Sequence, residues 1–121
     1  MRPWGIEMNF PSDTKVFLAL GVTDMRKAID GLSIIVSEQM QLDIFSDHLF
    51  VFCNRKRTIL KILYWDKNGF CLWQKRLEKD HFKWPEEQKE VMNITSRELA
   101  WLVAGLNINQ AHKPLKYSMI F

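Results

Sequence analysis

The chain has 121 residues, of which 47% are hydrophobic and 26% charged; it carries a formal net charge of +3 and two cysteines. That length suits one domain and excludes two ordinary ones. The composition excludes a disordered chain, and one core can be buried without metal or disulfide support. The pI of about 9.0 is only a mild basic bias, so where the charges sit matters more than their sum.

Residues 1–7 contain Pro3 and Gly5, show no periodicity and predict an N-terminal extension, with Met8 a second candidate start. Residues 15–20, with β-branched Val16 and aromatic Phe17 between the Pro11-Ser12-Asp13 turn signal and Gly21, predict a strand. Thr23 or Asp24 is placed to cap a helix running to about Gln39 or Met40, because side-chain oxygens accept bonds from the first free amides. Met25, Ile29, Leu32, Ile35 or Val36, and Met40 then form one apolar stripe. Gly31 lowers helix stability by about 1 kcal/mol relative to alanine and is tolerable where the helix packs closely on a sheet.

Residues 48–53, 58–65 and 70–78 predict three further strands, with Phe50, Val51 and Phe52 at the centre of the first. Residues 54–57 form a polar turn, and Asp66-Lys67-Asn68-Gly69 is the clearest turn in the chain because Asn-Gly readily supplies positive φ. Residues 81–84 predict a short edge piece ending at Pro85, and 91–94 one more strand. Thr95-Ser96-Arg97-Glu98 fits a capping box and opens a helix that ends at Gly105. The predicted architecture is α+β: a small antiparallel meander of four to five strands, one helix on a face and a C-terminal helix. The single domain spans 8–106, followed by a tail, 107–121.

Positive charge is densest at Arg55, Lys56 and Arg57, with Lys61, Lys75 and Arg76 on the neighbouring strands. A hairpin tip with three cations can neutralise phosphates; equally, such residues solvate a turn and protect strand edges. Arg26 and Lys27 oppose the dipole of the predicted first helix, which suggests an outside partner, although a pair at four-residue spacing is a sufficient structural explanation for Arg26 and Asp30. Most of the five tryptophans and eight phenylalanines belong in the core, with Trp84 and Trp101 the better candidates for a protein-binding patch.

Catalytic patterns are missing from the sequence. Asp24, Asp30 and Asp66 are dispersed, His48, His81 and His112 lie far apart, and Cys53 and Cys71 read as buried thiols outside any zinc spacing. There is no GxSxG, Walker or dinucleotide-binding glycine pattern, and no helix-turn-helix. No cofactor or metal is expected. The sequence shows no secretory apolar region and no membrane-length apolar run, so a cytoplasmic chain off the membrane is expected.

Two stretches together carry a resemblance. One is Gly21-Val22-Thr23-Asp24-Met25-Arg26-Lys27 with Ile29-Asp30-Gly31-Leu32; the other runs from His48-Leu49-Phe50-Val51-Phe52 through Asn54-Arg55-Lys56-Arg57 and Lys61-Ile62-Leu63-Tyr64-Trp65-Asp66 to Lys75-Arg76-Leu77-Glu78. In this order they resemble the TnpB accessory protein, the second open reading frame, of the bacterial insertion-sequence group sixty-six, over about residues 8–106. Ala28 stands where that family usually has glycine, and Cys53 where it often has a basic residue. The resemblance implies an accessory role in DNA transposition beside a separate transposase and a companion transposon protein, with no active site to carry over. The pattern points at Asp24, Arg26, Lys27, Asp30, Arg55, Lys56, Arg57, Lys61 and Asp66. The function expected is non-catalytic contact with DNA phosphates, without base reading, by the basic hairpin. The alternative is a protein–protein adaptor that never touches DNA.

Overall fold

A computed structural model describes residues 13–108. Five strands, β1 (Val16–Ala19), β2 (Leu49–Cys53), β3 (Ile59–Asp66), β4 (Gly69–Arg76) and β5 (Val91–Ile94), form one sheet in the order β4-β3-β2-β1-β5. The helices are α1 (Ile29–Ile34), which widens into a π-helical turn (Ile35–Gln39), and α2 (Ser96–Val103). The α+β class with a mostly antiparallel sheet and a C-terminal helix is therefore as predicted. One pair differs from a pure meander: β1 and β2 are parallel, Val16 facing Leu49 and Leu18 facing Val51. The α1 crossover between them carries the chain back to its starting end, as parallel pairing requires.

Both faces of the sheet are covered, so β2 is buried at all five positions. On one face Leu49, Val51, Leu60 and Ile62 pack with Leu99, Leu102 and Val103 of α2. On the other, Phe50, Phe52 and Leu63 pack with Leu32, Ile35, Val36 and Met40 of the α1 segment. Each such side chain contributes about 1.5–3 kcal/mol on full burial. Residues 81–84 are not a strand; Phe82 and Trp84 insert into the α2-side core instead. The Phe82 amide donates to the Arg57 carbonyl at 2.7 Å.

The capping box is present: the Glu98 amide donates to Thr95 Oγ1 at 3.1 Å and the Thr95 amide to Glu98 Oε1 at 2.9 Å. Gly105, at φ +88°, closes α2 as its amide reaches the Leu102 carbonyl and that of Leu106 reaches Trp101. Lys75 Nζ donates to the Val103 carbonyl at 3.0 Å, adding a cation where the helix dipole favours one. Ile108 is buried in the same core, so packing continues past residue 106. The predicted extension 1–7 and the tail from 109 lie outside the described residues.

The first helix begins at Ile29, not beside Thr23 or Asp24. Lys61, only 7% exposed, sends Nζ to the carbonyls of Met25 and Lys27, each at 2.9 Å. Those carbonyls would otherwise accept the amides of residues 29 and 31 in a longer helix. The Thr23 amide is also taken, by the Cys53 carbonyl at 2.9 Å. The first helical bond is Leu32 to Ala28, and Ala28 supplies no side-chain cap. The close neighbour of Gly31 is not the sheet but Lys27, whose Cβ and Cγ would lie 3.1 Å from an added Cβ.

The β3–β4 turn lies at 66–69 as predicted, but the positive φ falls on Lys67 and not on Asn68 or Gly69. Asp66 pairs with Gly69, so Lys67 and Asn68 form the loop and Lys67 takes the positive φ of +56°.

Two stability changes are expected in urea unfolding. Lys61→Met leaves two carbonyls without their donor and should cost roughly 3–6 kcal/mol, since each of the two bonds to a charged group is worth about 1.5–3. Thr95→Ala should cost about 1 kcal/mol, the usual value of an N-cap.

Candidate nucleic-acid interface

The two stretches singled out in the sequence meet in space. Parallel β1 and β2 finish at the same end of the sheet, so the loop after β1 and the hairpin tip after β2 lie side by side. The Thr23–Cys53 bond joins them, and Arg57 Nη1 donates to the Gly21 carbonyl at 3.2 Å. Between them lies an open groove of about 680 Å³, lined by Val22, Thr23, Asp24 and Met25 on one side and by Asn54, Arg55, Lys56, Thr58 and Ile59 on the other.

Asn54 builds the hairpin tip. Its Oδ1 accepts the amides of Thr58 and Ile59 at 2.9 and 3.0 Å, and its backbone carbonyl accepts the Arg57 amide. This arrangement turns Arg55 and Lys56 outward, where both are exposed. Neither has an acidic partner among the described residues.

Arg57 turns the other way. It sits at φ +60°, donates to the Gly21 and Asn54 carbonyls, and lies over the Trp84 ring at 5.9 Å. Its positive charge also opposes the burial that pushes the Cys53 thiol up. Lys61 is withdrawn under the loop, Lys75 is engaged at the end of α2, and Arg76 pairs with Glu78 at 3.0 Å. Of the six cations predicted on the hairpin strands, only Arg55 and Lys56 reach outward without a protein partner at the tip.

On the neighbouring loop, Lys27 is exposed. Arg26 is exposed too, but it forks onto Asp24, with Nη2 2.7 Å from Oδ2 and Nε 3.1 Å from Oδ1. This pair replaces the predicted Arg26–Asp30 contact, because Arg26 precedes the helix and four-residue spacing does not apply there. Asp24 Oδ1 also accepts the Arg26 amide at 2.9 Å, so the carboxylate folds a local turn in place of capping the helix. These Arg26 bonds, the side-chain bond foremost, hold the Asp24 carboxyl down at about 2.

The predicted protein-binding tryptophans are not presented together. Trp84 is 6% exposed and belongs to the core, because the Phe82-x-Trp84 alternation points both rings inward. Trp101 is half-buried on α2. The dispersed carboxylates stay apart: Asp24 lies by the hairpin tip, whereas Asp66 ends β3, roughly 25 Å away along eight residues. Among the described residues no three His, Cys, Asp or Glu side chains gather as metal ligands, and both cysteines are free. His112 lies outside the described residues. No helix among them is long and apolar enough to cross a membrane.

Sequence reasoning missed the inward roles of Arg57 and Lys61. For Lys61 a signal existed: Ile59-Leu60-Lys61-Ile62-Leu63 is apolar on both alternating faces, which marks a strand covered on both sides.

The Asp24–Arg26 fork has a measurable consequence. A carboxyl held low contributes stability above its unfolded value, near 4, and loses that contribution as pH falls through about 2. An NMR titration should place the Asp24 midpoint near 2 in the wild type and return it towards 4 in Arg26→Ala.

A family model described as IS66 Orf2 like protein matches residues 14–113, which takes in both stretches and extends past residue 106. Two curated relatives come from Sinorhizobium fredii. Uncharacterized protein y4hO is 34% identical over 95 residues, covering 78% of this chain and 83% of that one. Uncharacterized protein y4jC is 29% identical over 103 residues, covering 84% and 88%. No solved structure matches. With a family match across most of its length and the two stretches joined at one end of the sheet, the chain belongs to the IS66 Orf2-like family of insertion-sequence accessory proteins.

Proposed function

We propose that the protein is a non-catalytic accessory factor of transposition that contacts DNA phosphates directly through the Arg55–Lys56 tip, flanked by Lys27 and Arg26. The observation that supports this reading most is the pairing of two outward cations, free of acidic partners among the described residues, with a groove whose opposite wall is the other family-typical stretch. The groove lining includes no aromatic side chain to stack on a base, which supports contact with the backbone rather than with bases. Arg26 joins it by exchange: a phosphate can take over part of the fork now held by Asp24, as both are oxyanions.

Lys61, Lys75 and Arg57 are excluded from this contact surface because their donors serve the fold, and Arg76 contributes little while paired to Glu78. Lys27 is retained, since its stem packs over Gly31 and its amine is exposed. The transposase and the companion transposon protein, in the cytoplasm, are the partners this reading assigns. The adaptor reading loses the exposed Trp84 on which it relied.

Fluorescence anisotropy with a short DNA duplex across a salt series tests the reading. Arg55→Ser combined with Lys56→Ser should reduce the salt slope by about 2, one unit for each cation withdrawn from a phosphate, with folding stability unchanged. Arg57→Ser should instead lower stability and leave the slope near its wild-type value. An unchanged slope in the double variant, or DNA binding only when the transposase is added, would reject direct contact.

A further inference from the structure

The opposite end of the sheet carries a second surface with the reverse character. Phe45, Trp65 and Phe70 form a three-ring cluster beside the β3–β4 turn. Their centroids lie 5.1 Å apart for Phe45–Trp65, 5.6 Å for Phe45–Phe70 and 4.9 Å for Trp65–Phe70. Trp65 and Phe70 are directly opposed across the two strands. Phe45 closes the cluster from the loop after α1 yet remains 56% exposed. The turn itself holds it there: Asp43 Oδ1 accepts the Phe45 amide at 2.9 Å. A lone exposed ring needs no explanation, but a fixed cluster of three is the kind of patch that binds something.

The charges around the rings say what. Asp43 and Asp47 flank Phe45; both are exposed and neither forms an ion pair among the described residues. Lys67 alone opposes them in the adjoining turn. Carboxylates in that excess repel phosphates, whereas aromatic faces and carboxylates both attract a guanidinium or ammonium group. We infer that this end of the sheet docks a cationic segment of a partner protein, with an arginine or lysine over the rings and against the carboxylates. The molecule would then be two-ended, holding DNA at one end of the sheet and a basic polypeptide at the other. The two surfaces are carried by different observations and stand or fall separately.

The test uses the full chain and a fluorescein-labelled peptide of alternating arginine and leucine as probe. Binding is expected with a Kd below about 1 mM and should weaken with salt. Phe45→Ser should weaken it at least about tenfold, as removal of an aromatic anchor does; thermal unfolding of that variant checks that the fold is intact. Asp43→Asn with Asp47→Asn, which keeps a side-chain oxygen for the Phe45 amide and leaves the rings in place, should weaken binding and flatten its salt dependence. Arg55→Ser with Lys56→Ser should change neither. The inference is overturned by no binding of the arginine peptide, by equal binding of a glutamate–leucine peptide, or by full binding in Phe45→Ser. It is overturned too if Phe45→Ser abolishes self-association of the chain, which would make the occupant a second copy, or if that variant loses duplex DNA binding.

Discussion

A single cationic side chain inside the sheet sets the geometry of the candidate interface. Lys61 projects from the middle of β3 towards the α1 side and holds the carbonyls of Met25 and Lys27. A buried cation is unfavourable unless hydrogen-bonded, and backbone carbonyls without donors are unfavourable too, so each side of the contact needs the other. Because these carbonyls are occupied, residues 24–27 remain a turn and α1 starts at Ile29. Had they entered a helix, Arg26 and Lys27 would be carried round its axis, and the Asp24–Arg26 fork would not form in its present shape.

Arg57 makes the corresponding contact from the hairpin. Its guanidinium ties the tip to the Gly21 carbonyl and covers Trp84, while its own carbonyl receives the Phe82 amide. One residue therefore links the hairpin tip, the loop after β1 and the segment that crosses the α2-side core. Arg55 and Lys56 are outward because Arg57 and Asn54 have fixed the turn beneath them. The basic run is thus divided, with two residues available to a polyanion and the third used to position them.

The sheet separates unlike surfaces. Parallel β1 and β2 bring the cationic loop and tip to one end, while the β3–β4 turn and the loop after α1 bring carboxylates and aromatic rings to the other. On the function proposed above, this separation would let DNA and a basic partner approach at different places, neither repelled by the other's contact surface.

Much of this was legible in the residues. The strands of the meander, the capping box at Thr95 and the glycine end of α2 follow from local patterns, because alternation, cap chemistry and left-handed turns act within a few residues. The basic tip and the loop at Asp24 were legible as separate motifs. Their meeting was not, because it depends on the parallel β1–β2 pairing, which is a long-range choice. Nor could charge alone distinguish Arg55 and Lys56 from Arg57, Lys61 and Lys75: all are cations on or beside strands, and only the covering of both sheet faces decides whose donors must turn inward to satisfy buried carbonyls. Trp84 was misplaced for the same reason, its exposure being fixed by the path of residues 81–84 beneath the sheet. The sequence by itself determined the class of fold, the five sheet strands, the C-terminal helix and the absence of a familiar catalytic pattern, since these rest on short-range periodicity and spacing. Only the tertiary structure decided which charges serve the fold and which face solvent, because that depends on backbone groups brought close from tens of residues away.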